Sequence, residues 1–231
     1  MERFRPAIMT AVSVLYGNNA DPHSQRARLA LTTVGMHCEL REVDPAALPP
    51  AVAKLPLLQL PNGKLIDDSF AIAQWACAHR PQLDLWPDIR VRQQSIENLV
   101  RIIDGPFAAA LDGYRRASGV RQNLVEGRDA QGWRFEAEIF LAQLEARLAR
   151  MSYLVGDRET LADIAVLPFI QQFADLDRTW FDVSPYRQLR AWLLRYRDNA
   201  IWQQATRPVA RWQVGSQPIY LIPPDIRRAS A

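Results

Sequence analysis

The 231-residue chain is poor in the residue types that build crosslinks, metal sites and membrane spans. Its two cysteines and three histidines show no metal-ligand spacing, so the sequence predicts neither a disulfide framework nor a zinc site, and we expect no metal. No run of 18 apolar residues occurs, which excludes a predicted transmembrane helix. No run of five like charges occurs either: the formal charge of +3 comes from 28 basic residues scattered among 25 acidic ones. This pattern is typical of a solvated surface and not of a nucleic-acid-binding patch.

The remaining composition is that of an ordinary globular protein, with 48% hydrophobic and 23% charged residues. The N-terminal residues 1–12 carry arginines but only a short, broken apolar stretch, so we expect a lead-in segment and not a signal peptide. With only two cysteines and no predicted membrane span, the sequence indicates a cytoplasmic protein with reduced thiols, without a membrane or nucleic-acid partner.

The first third of the chain alternates between strand and helix signals. A β-rich run and a helical stretch that ends near Gly35 come first. Asn62-Gly63 between two short apolar runs is the strongest short signal for a hairpin. The predicted elements are strand 12–16, helix 23–34, strand 38–43, strands 57–60 and 64–66, and helix 70–79, with a proline-rich connection over 45–50. This order predicts a parallel β-α-β crossover followed by an antiparallel β-β-α unit, which is a thioredoxin-like pattern.

Beyond a linker at 81–87, strand signals nearly vanish and apolar residues recur with the helical period. The predicted helices are 91–110, 133–150, 161–173 and 189–197. The last stretch holds a short apolar run at 219–222 that either folds back over the surface or stays loose. The sequence thus predicts an N-terminal α/β domain at 10–82, an all-helical domain at 88–212 and a tail at 213–231.

Several stretches, in this order, resemble the glutathione S-transferase family. They are Leu15-Tyr16, Arg26-Ala-Arg-Leu-Ala-Leu31, Lys54-Leu-Pro-Leu-Leu58, Asp67-Asp-Ser69 with Ala71-Ile72, and Leu161-Ala-Asp-Ile-Ala165 with Pro168-Phe169 and Gln172-Phe173. The resemblance covers residues 12–212 and implies the glutathione transferase fold: a thioredoxin-like N-terminal domain followed by an all-helical C-terminal domain. It also implies glutathione as co-substrate and a homodimer.

The N-terminal part of the resemblance supplies a candidate glutathione site. A cis bond before Pro56, which costs only about 0.5–1 kcal/mol over trans, would turn the backbone of Leu55 outward to pair with a peptide. Asp68 and Ser69 at a helix start suit the ammonium and the carboxylate of a γ-glutamyl group. By resemblance, Lys54 meets the glycyl carboxylate. The plainer alternatives are an edge-strand proline, an ordinary N-cap and a solvated lysine.

The sequence departs from the Cys-Pro members of the family just before Arg26. Where they carry cysteine-proline, this chain reads Asp21-Pro-His-Ser24. Asp21 is a good N-cap with proline at the first helical position, but a carboxylate beside the glutathione sulfur would disfavour its thiolate. The sulfur could instead be met by Ser24, His23 or Tyr16. The candidate catalytic residues are therefore Asp21, His23 and Ser24, and covalent thiol-disulfide chemistry at this position is excluded.

Two functions follow from the resemblance. The first is binding of glutathione and its conjugation to a small apolar electrophile, with low activity. The alternative is a catalytically silent glutathione transferase-fold module for ligand binding or protein interaction, which the missing cysteine favours. Thr160 and Asp163 form a capping-box pattern at a helix start, and we assign them a structural role.

Overall fold

The computed structural model describes residues 12–44, 46, 48, 54–119 and 125–222. The expected N-terminal lead-in, most of the proline-rich connection and residues 223–231 lie outside the described residues. The chain divides into two compact units. The first consists of the residues up to Leu83 together with those from Asn199 onward, and the second is Asp84–Asp198. No helix in the described ranges is long and apolar enough to cross a membrane.

The elements follow the predicted order, with additions in the second half. The first unit begins with β1 (Ser13–Gly17), α1 (Pro22–Thr33), β2 (Cys38–Glu42), β3 (Leu57–Gln59), β4 (Leu65–Ile66) and α2 (Ser69–Ala78). The second unit contains α3 (Arg90–Ile102), a π-helical segment (Ile103–Phe107), α4 (Ala108–Ser118), α5 (Ala130–Leu148), α6 (Leu161–Leu176), α7 (Arg178–Val183) and α8 (Arg187–Arg197). The chain then returns to the first unit with α9 (Ala200–Thr206) and β5 (Ile219–Tyr220).

The sheet of the first unit confirms the thioredoxin-like pattern. Its strand order is β4-β3-β1-β2-β5, with β1 parallel to β2 and antiparallel to β3. β3 and β4 form the predicted antiparallel hairpin, and Gly63 takes the left-handed φ of 83° that its turn requires. α1 and α2 pack against each other, and side chains such as Leu15, Leu31 and Leu58 are completely buried.

Strand register brings three chain positions to one end of this sheet. Tyr16 near the end of β1 is opposite Leu57 at the start of β3, so Pro56 lies beside the point where β1 leads into α1. Ile66 at the end of β4 is opposite Leu58, which places the start of α2 at the same end. The candidate residues from all three segments are therefore neighbours in the fold.

The C-terminal segment belongs to the first unit, and this unit begins again at Asn199, before the predicted domain end at 212. α9 packs on α1, and β5 pairs antiparallel with β2 through the register Glu39↔Tyr220. The Leu221 N–H donates to the Cys38 carbonyl over 2.9 Å, and the Leu221 side chain is fully buried. The apolar run at 219–222 thus folds back, because it satisfies the outer edge of β2 and fills the core beneath it. The compact second unit accordingly ends at Asp198 and not at 212.

The second unit is helical, as expected, but the predicted helix 91–110 is interrupted. Pro106 has no backbone N–H to donate, and the helix passes through the π-helical segment before α4 continues to Ser118. The capping box at the start of α6 is confirmed. The Thr160 hydroxyl accepts from the Ala162 N–H over 3.3 Å, and the Asp163 carboxylate accepts from the Thr160 N–H over 3.0 Å. Asp163 is fully buried and also accepts from the indole N–H of Trp192 over 3.0 Å.

Candidate functional site

Asp21 caps the N-terminus of helix α1, with Pro22 at the first helical position, as predicted. Its carboxylate accepts from the backbone N–H of Ser24 over 2.8 Å and from that of His23 over 3.3 Å. The Ser24 hydroxyl donates to the same carboxylate over 2.8 Å. The side chain of Asp21 therefore supports the first turn of the helix through three contacts.

The side chain of Ser24 is completely buried in the first turn of α1. While its hydroxyl donates to Asp21, its oxygen accepts from the backbone N–H of Asn18 over 3.1 Å. Ser24 thus supports the loop and the cap before α1, and its candidate role at the sulfur stays a prediction.

Helix α2 begins at the predicted acidic-serine pair. Asp68 is its N-cap and accepts from the Ala71 N–H over 2.7 Å, while the side chain itself is exposed. Ser69 is the first helical residue and is only 3% exposed. The carboxylate of Asp68 is therefore accessible to a ligand, whereas Ser69 can offer little more than its hydroxyl.

The two helix starts meet at the Ser69 hydroxyl. His23 Nδ1 lies 3.3 Å from Ser69 Oγ. Arg26, one turn along α1 and completely buried, donates from Nη1 to the same oxygen over 3.1 Å. We call this group, His23, Arg26, Asp68 and Ser69, the α1–α2 junction. It brings one of the candidate catalytic residues into contact with one of the candidate glutathione-binding residues.

Arg26 was not among the residues expected in the site. In the sequence, Arg26 is part of a helix-forming stretch that resembles the family. The available signal is that Arg26 and Arg28 interrupt an alanine- and leucine-rich helix that must bury itself against the sheet. Charged residues in such a position are almost never fully buried without a specific partner.

The remaining candidates lie at the same end of the sheet. The Leu55–Pro56 peptide bond is cis, as predicted. Pro56 is buried, Leu55 is partly exposed and Lys54 is exposed, immediately before β3. No hydrogen bond joins these three residues to the α1–α2 junction within the described residues, so their membership of one site rests on strand register.

Tyr16, the third candidate for the sulfur, turns its phenol towards strand β2. The Tyr16 hydroxyl accepts from Arg41 Nη1 over 2.8 Å, and the Arg41 guanidinium also lies 4.5 Å from the ring centre of Trp212. Of the three candidate sulfur partners, only His23 therefore contacts the α1–α2 junction.

Both thiols of the chain are buried and lie outside the candidate site. Burial raises the pKa of Cys38, on β2, to about 12 and the pKa of Cys77, on α2, also to about 12. Each therefore stays protonated and unreactive at neutral pH. In the described ranges, no group of three His, Cys, Asp or Glu side chains is arranged to hold a metal ion.

The chemistry of the α1–α2 junction suits a ligand that carries a carboxylate and an ammonium close together. The Ser69 hydroxyl, backed by the Arg26 guanidinium, and the positive end of the α2 dipole favour an anion. The exposed Asp68 carboxylate, a few atoms away along the chain, favours a cation.

Two family models match the chain. The model for the glutathione S-transferase N-terminal domain matches residues 15–83, and the model for the glutathione S-transferase C-terminal domain matches residues 137–195. Together these matches cover more than half of the sequence.

The chain is also similar to individual proteins. It is 28% identical to the glutathione S-transferase GstB of Escherichia coli K12 over 162 residues, which are 68% of this chain and 71% of that protein. A solved glutathione S-transferase from Methylobacillus flagellatus with glutathione bound superposes with a TM-score of 0.70 at 21% identity, covering 85% of this chain and 100% of the other. A theta-class glutathione S-transferase from Xanthomonas axonopodis pv. citri, also with glutathione bound, gives a TM-score of 0.70 at 19% identity and covers 87% and 99%. These two structures share the fold of this chain.

Proposed function

The chain belongs to the glutathione S-transferase family, and from that premise we propose that it binds glutathione and conjugates the glutathione thiol to a small apolar electrophile. The observation that carries the proposal is the convergence of His23 and Arg26 on the Ser69 hydroxyl at the start of α2. A purely structural module does not need a buried cation and an imidazole at one serine oxygen.

The γ-glutamyl end of glutathione fits the α1–α2 junction by its chemistry. Its α-carboxylate would accept from Ser69, and its ammonium would pair with Asp68. Because Leu55 and Pro56 lie at the same end of the sheet, the peptide backbone can continue towards Leu55, and the glycyl carboxylate towards Lys54. In this orientation the cysteinyl sulfur lies near the start of α1.

A binding experiment tests this placement. Loss of a hydrogen bond to a charged group costs about 1.5–3 kcal/mol, so Ser69→Ala is expected to raise the Kd for glutathione roughly tenfold or more. Asp68→Asn keeps an acceptor for the Ala71 N–H but loses the charge that would pair with the ammonium, and is expected to weaken binding as well. An unchanged Kd in both variants, measured by calorimetric titration, would refute the placement.

The catalytic half of the proposal depends on Asp21. Its carboxylate caps α1 and would oppose a thiolate at the same helix end, so we expect slow conjugation of an aromatic electrophile at neutral pH. Asp21→Asn preserves an acceptor for the helix N–H groups and removes the repulsion, and should raise turnover at saturating glutathione.

Asp21→Cys provides a second test at the same position. A thiol there lies at a helix N-terminus, which lowers its pKa, and its thiolate should attack oxidised glutathione, forming a mixed disulfide and releasing reduced glutathione. Brisk conjugation by the native protein that Asp21→Asn slows would show that Asp21 promotes the reaction, against our repulsion argument.

The alternative is a catalytically silent module with the same fold, used for ligand binding or protein interaction. The three hydrogen bonds that hold Asp21 in its cap favour it, because they leave the carboxylate fixed at the helix start. The two functions differ in one measurement: if the protein is the silent module, neither the native protein nor Asp21→Asn conjugates glutathione to an aromatic electrophile faster than the uncatalysed reaction does.

A further inference from the structure

Arg26 is buried more deeply than its charge would ordinarily allow. Its side chain is 0% exposed, and its Nη1 donates over 3.1 Å to the hydroxyl of a residue on another helix. A guanidinium carries only donors and cannot shed its charge. Such a group is costly to bury and is retained where its charge or its donor geometry is used.

The hydrogen-bond capacity of Ser69 limits what Arg26 can do to it. A serine hydroxyl has one proton to donate and two lone pairs that accept. Arg26 can only donate, so it occupies one lone pair of Ser69 Oγ. His23 Nδ1, 3.3 Å away, occupies the other when that nitrogen carries its proton. In that tautomer the hydroxyl proton is directed at a third partner, because Arg26 and His23 are the two hydrogen-bond partners of Ser69 Oγ among the residues that the structure describes.

We propose that Arg26 is a positioning residue that fixes the Ser69 hydroxyl as a hydrogen-bond donor towards a ligand carboxylate. The inference rests on the proposed function, since it identifies that carboxylate as the α-carboxylate of the γ-glutamyl end. The guanidinium also places a positive charge directly behind the hydroxyl, which strengthens its bond to an anion. Arg26 thereby gives the α1–α2 junction its preference for a carboxylate over a neutral group.

The first arm of the test is a double-mutant cycle measured by calorimetric titration with glutathione. Arg26→Met keeps an unbranched chain of similar length but has no donor, and is expected to raise the Kd about tenfold, as Ser69→Ala does. The double variant should bind no more than about twofold more weakly than Ser69→Ala alone, because both changes remove the same interaction.

The second arm uses a ligand that lacks the recognised group. The peptide 4-aminobutanoyl-cysteinylglycine differs from glutathione only in the missing α-carboxylate. Arg26→Met should leave the Kd for this peptide within twofold of the native value. If Arg26 only stabilised the fold, Arg26→Met would weaken the binding of both peptides.

Arg28 provides the matched control. It lies on the same helix and is equally buried, but it donates to Asn19 Oδ1 over 2.6 Å and to the Arg207 carbonyl over 2.7 Å. Arg28→Met should lower the Tm and leave the Kd for glutathione within twofold. Arg26→Lys is the second variant, for the case in which Arg26→Met does not fold. Lysine keeps the positive charge but lacks the planar guanidinium. We expect it to raise the Kd for glutathione about threefold to fivefold and to leave the Kd for the shortened peptide unchanged.

The outcomes separate the inference from the proposed function. If the native protein does not bind glutathione, the proposed function fails and the inference fails with it. If the native protein binds glutathione but Ser69→Ala leaves its Kd unchanged, the inference is overturned and the proposed function stands. If Ser69→Ala weakens binding but the folded Arg26 variants bind like the native protein, only the inference is overturned. The inference is also overturned if the Arg26 variants weaken the binding of both peptides equally. It is overturned as well if the effects of Arg26→Met and Ser69→Ala on the Kd for glutathione are fully additive in the double variant.

Discussion

Asp21 uses its carboxylate mainly to hold the first turn of its own helix. It accepts from two backbone N–H groups and from one hydroxyl. Replacing an N-cap aspartate by alanine typically costs about 1 kcal/mol. We therefore expect Asp21→Ala to lower the free energy of unfolding by about 1–2 kcal/mol in urea denaturation, and Asp21→Ser, which keeps a capping oxygen, to lower it by less. Equal losses in the two variants would contradict the capping role.

Asp163 makes part of the stability of the second unit dependent on pH. Burial raises its pKa from 3.8 to about 6, although hydrogen bonds from Leu154, Thr160 and Trp192 act in the opposite direction. Because the folded-state pKa exceeds the unfolded one, the folded state holds more protons between these two values. The contribution of Asp163 is therefore fully present below about pH 4 and is lost as the pH rises through about 6.

The measurement that isolates this contribution is urea unfolding of the native protein and of Asp163→Asn between pH 4 and pH 7. Asparagine does not titrate, so the difference in unfolding free energy between the two proteins should shrink as the pH rises, by on the order of 2–3 kcal/mol at most. A difference that is constant across this range, or that grows with pH, would show that Asp163 is not protonated on folding.

Short sequence patterns predicted the residues that act within their own helix. They did not predict the residues whose roles come from contacts with a second helix. Asp21 and Asp68 are confirmed as N-caps, since a cap needs only the following turn. The burial of Ser24 and Arg26 was not predicted, because it arises from packing between α1 and its neighbours, which leaves no periodic mark in the sequence.

At the scale of elements, α4 and α5 approach closely at Gly113. A Cβ added there would lie 2.3 Å from Trp133 Cδ2, a distance that the ring cannot accommodate without moving. The indole is anchored by its N–H, which donates to the Val125 carbonyl over 3.0 Å. Gly113→Ala is therefore expected to destabilise the protein by about 1–3 kcal/mol through overpacking.

Gly119 supplies the matched comparison for Gly113. It ends α4 with helical dihedral angles, and a Cβ added there would make only an ordinary contact, 3.6 Å from the Arg115 carbonyl oxygen. Gly119→Ala should leave the Tm unchanged or raise it slightly, since alanine is the better helix former by up to about 1 kcal/mol. If both substitutions lower the Tm equally, close packing at Gly113 is not the cause.

The elements that were predicted well are those specified by short stretches. The β3–β4 hairpin follows from Asn62-Gly63, and the α6 start follows from Thr160 and its third neighbour. The pairing of β5 with β2 joins residues about 180 positions apart, and a two-residue strand carries too little pattern to reveal it. The π-helical segment was missed because a proline inside a helix signals an interruption without saying how the backbone passes it.

At the scale of the whole molecule, the C-terminal segment completes the first unit. Leu221 is fully buried beside β2, whereas Val214 in the preceding loop is 91% exposed. Leu221→Ala should lower the free energy of unfolding by about 2–5 kcal/mol, and Val214→Ala should change it by less than about 0.5 kcal/mol. Urea unfolding that treats the two variants alike would mean that β5 does not form part of the core in solution.

The central claim is that glutathione binds at the α1–α2 junction with its γ-glutamyl end on Asp68 and Ser69. The most direct measurement is a crystal structure of the protein grown with glutathione. We predict the γ-glutamyl α-carboxylate within about 3.2 Å of Ser69 Oγ, its ammonium at Asp68, and the cysteinyl sulfur at the start of α1. Glutathione bound with its γ-glutamyl end elsewhere, and Ser69 Oγ in contact with His23 and Arg26 alone, would contradict the account.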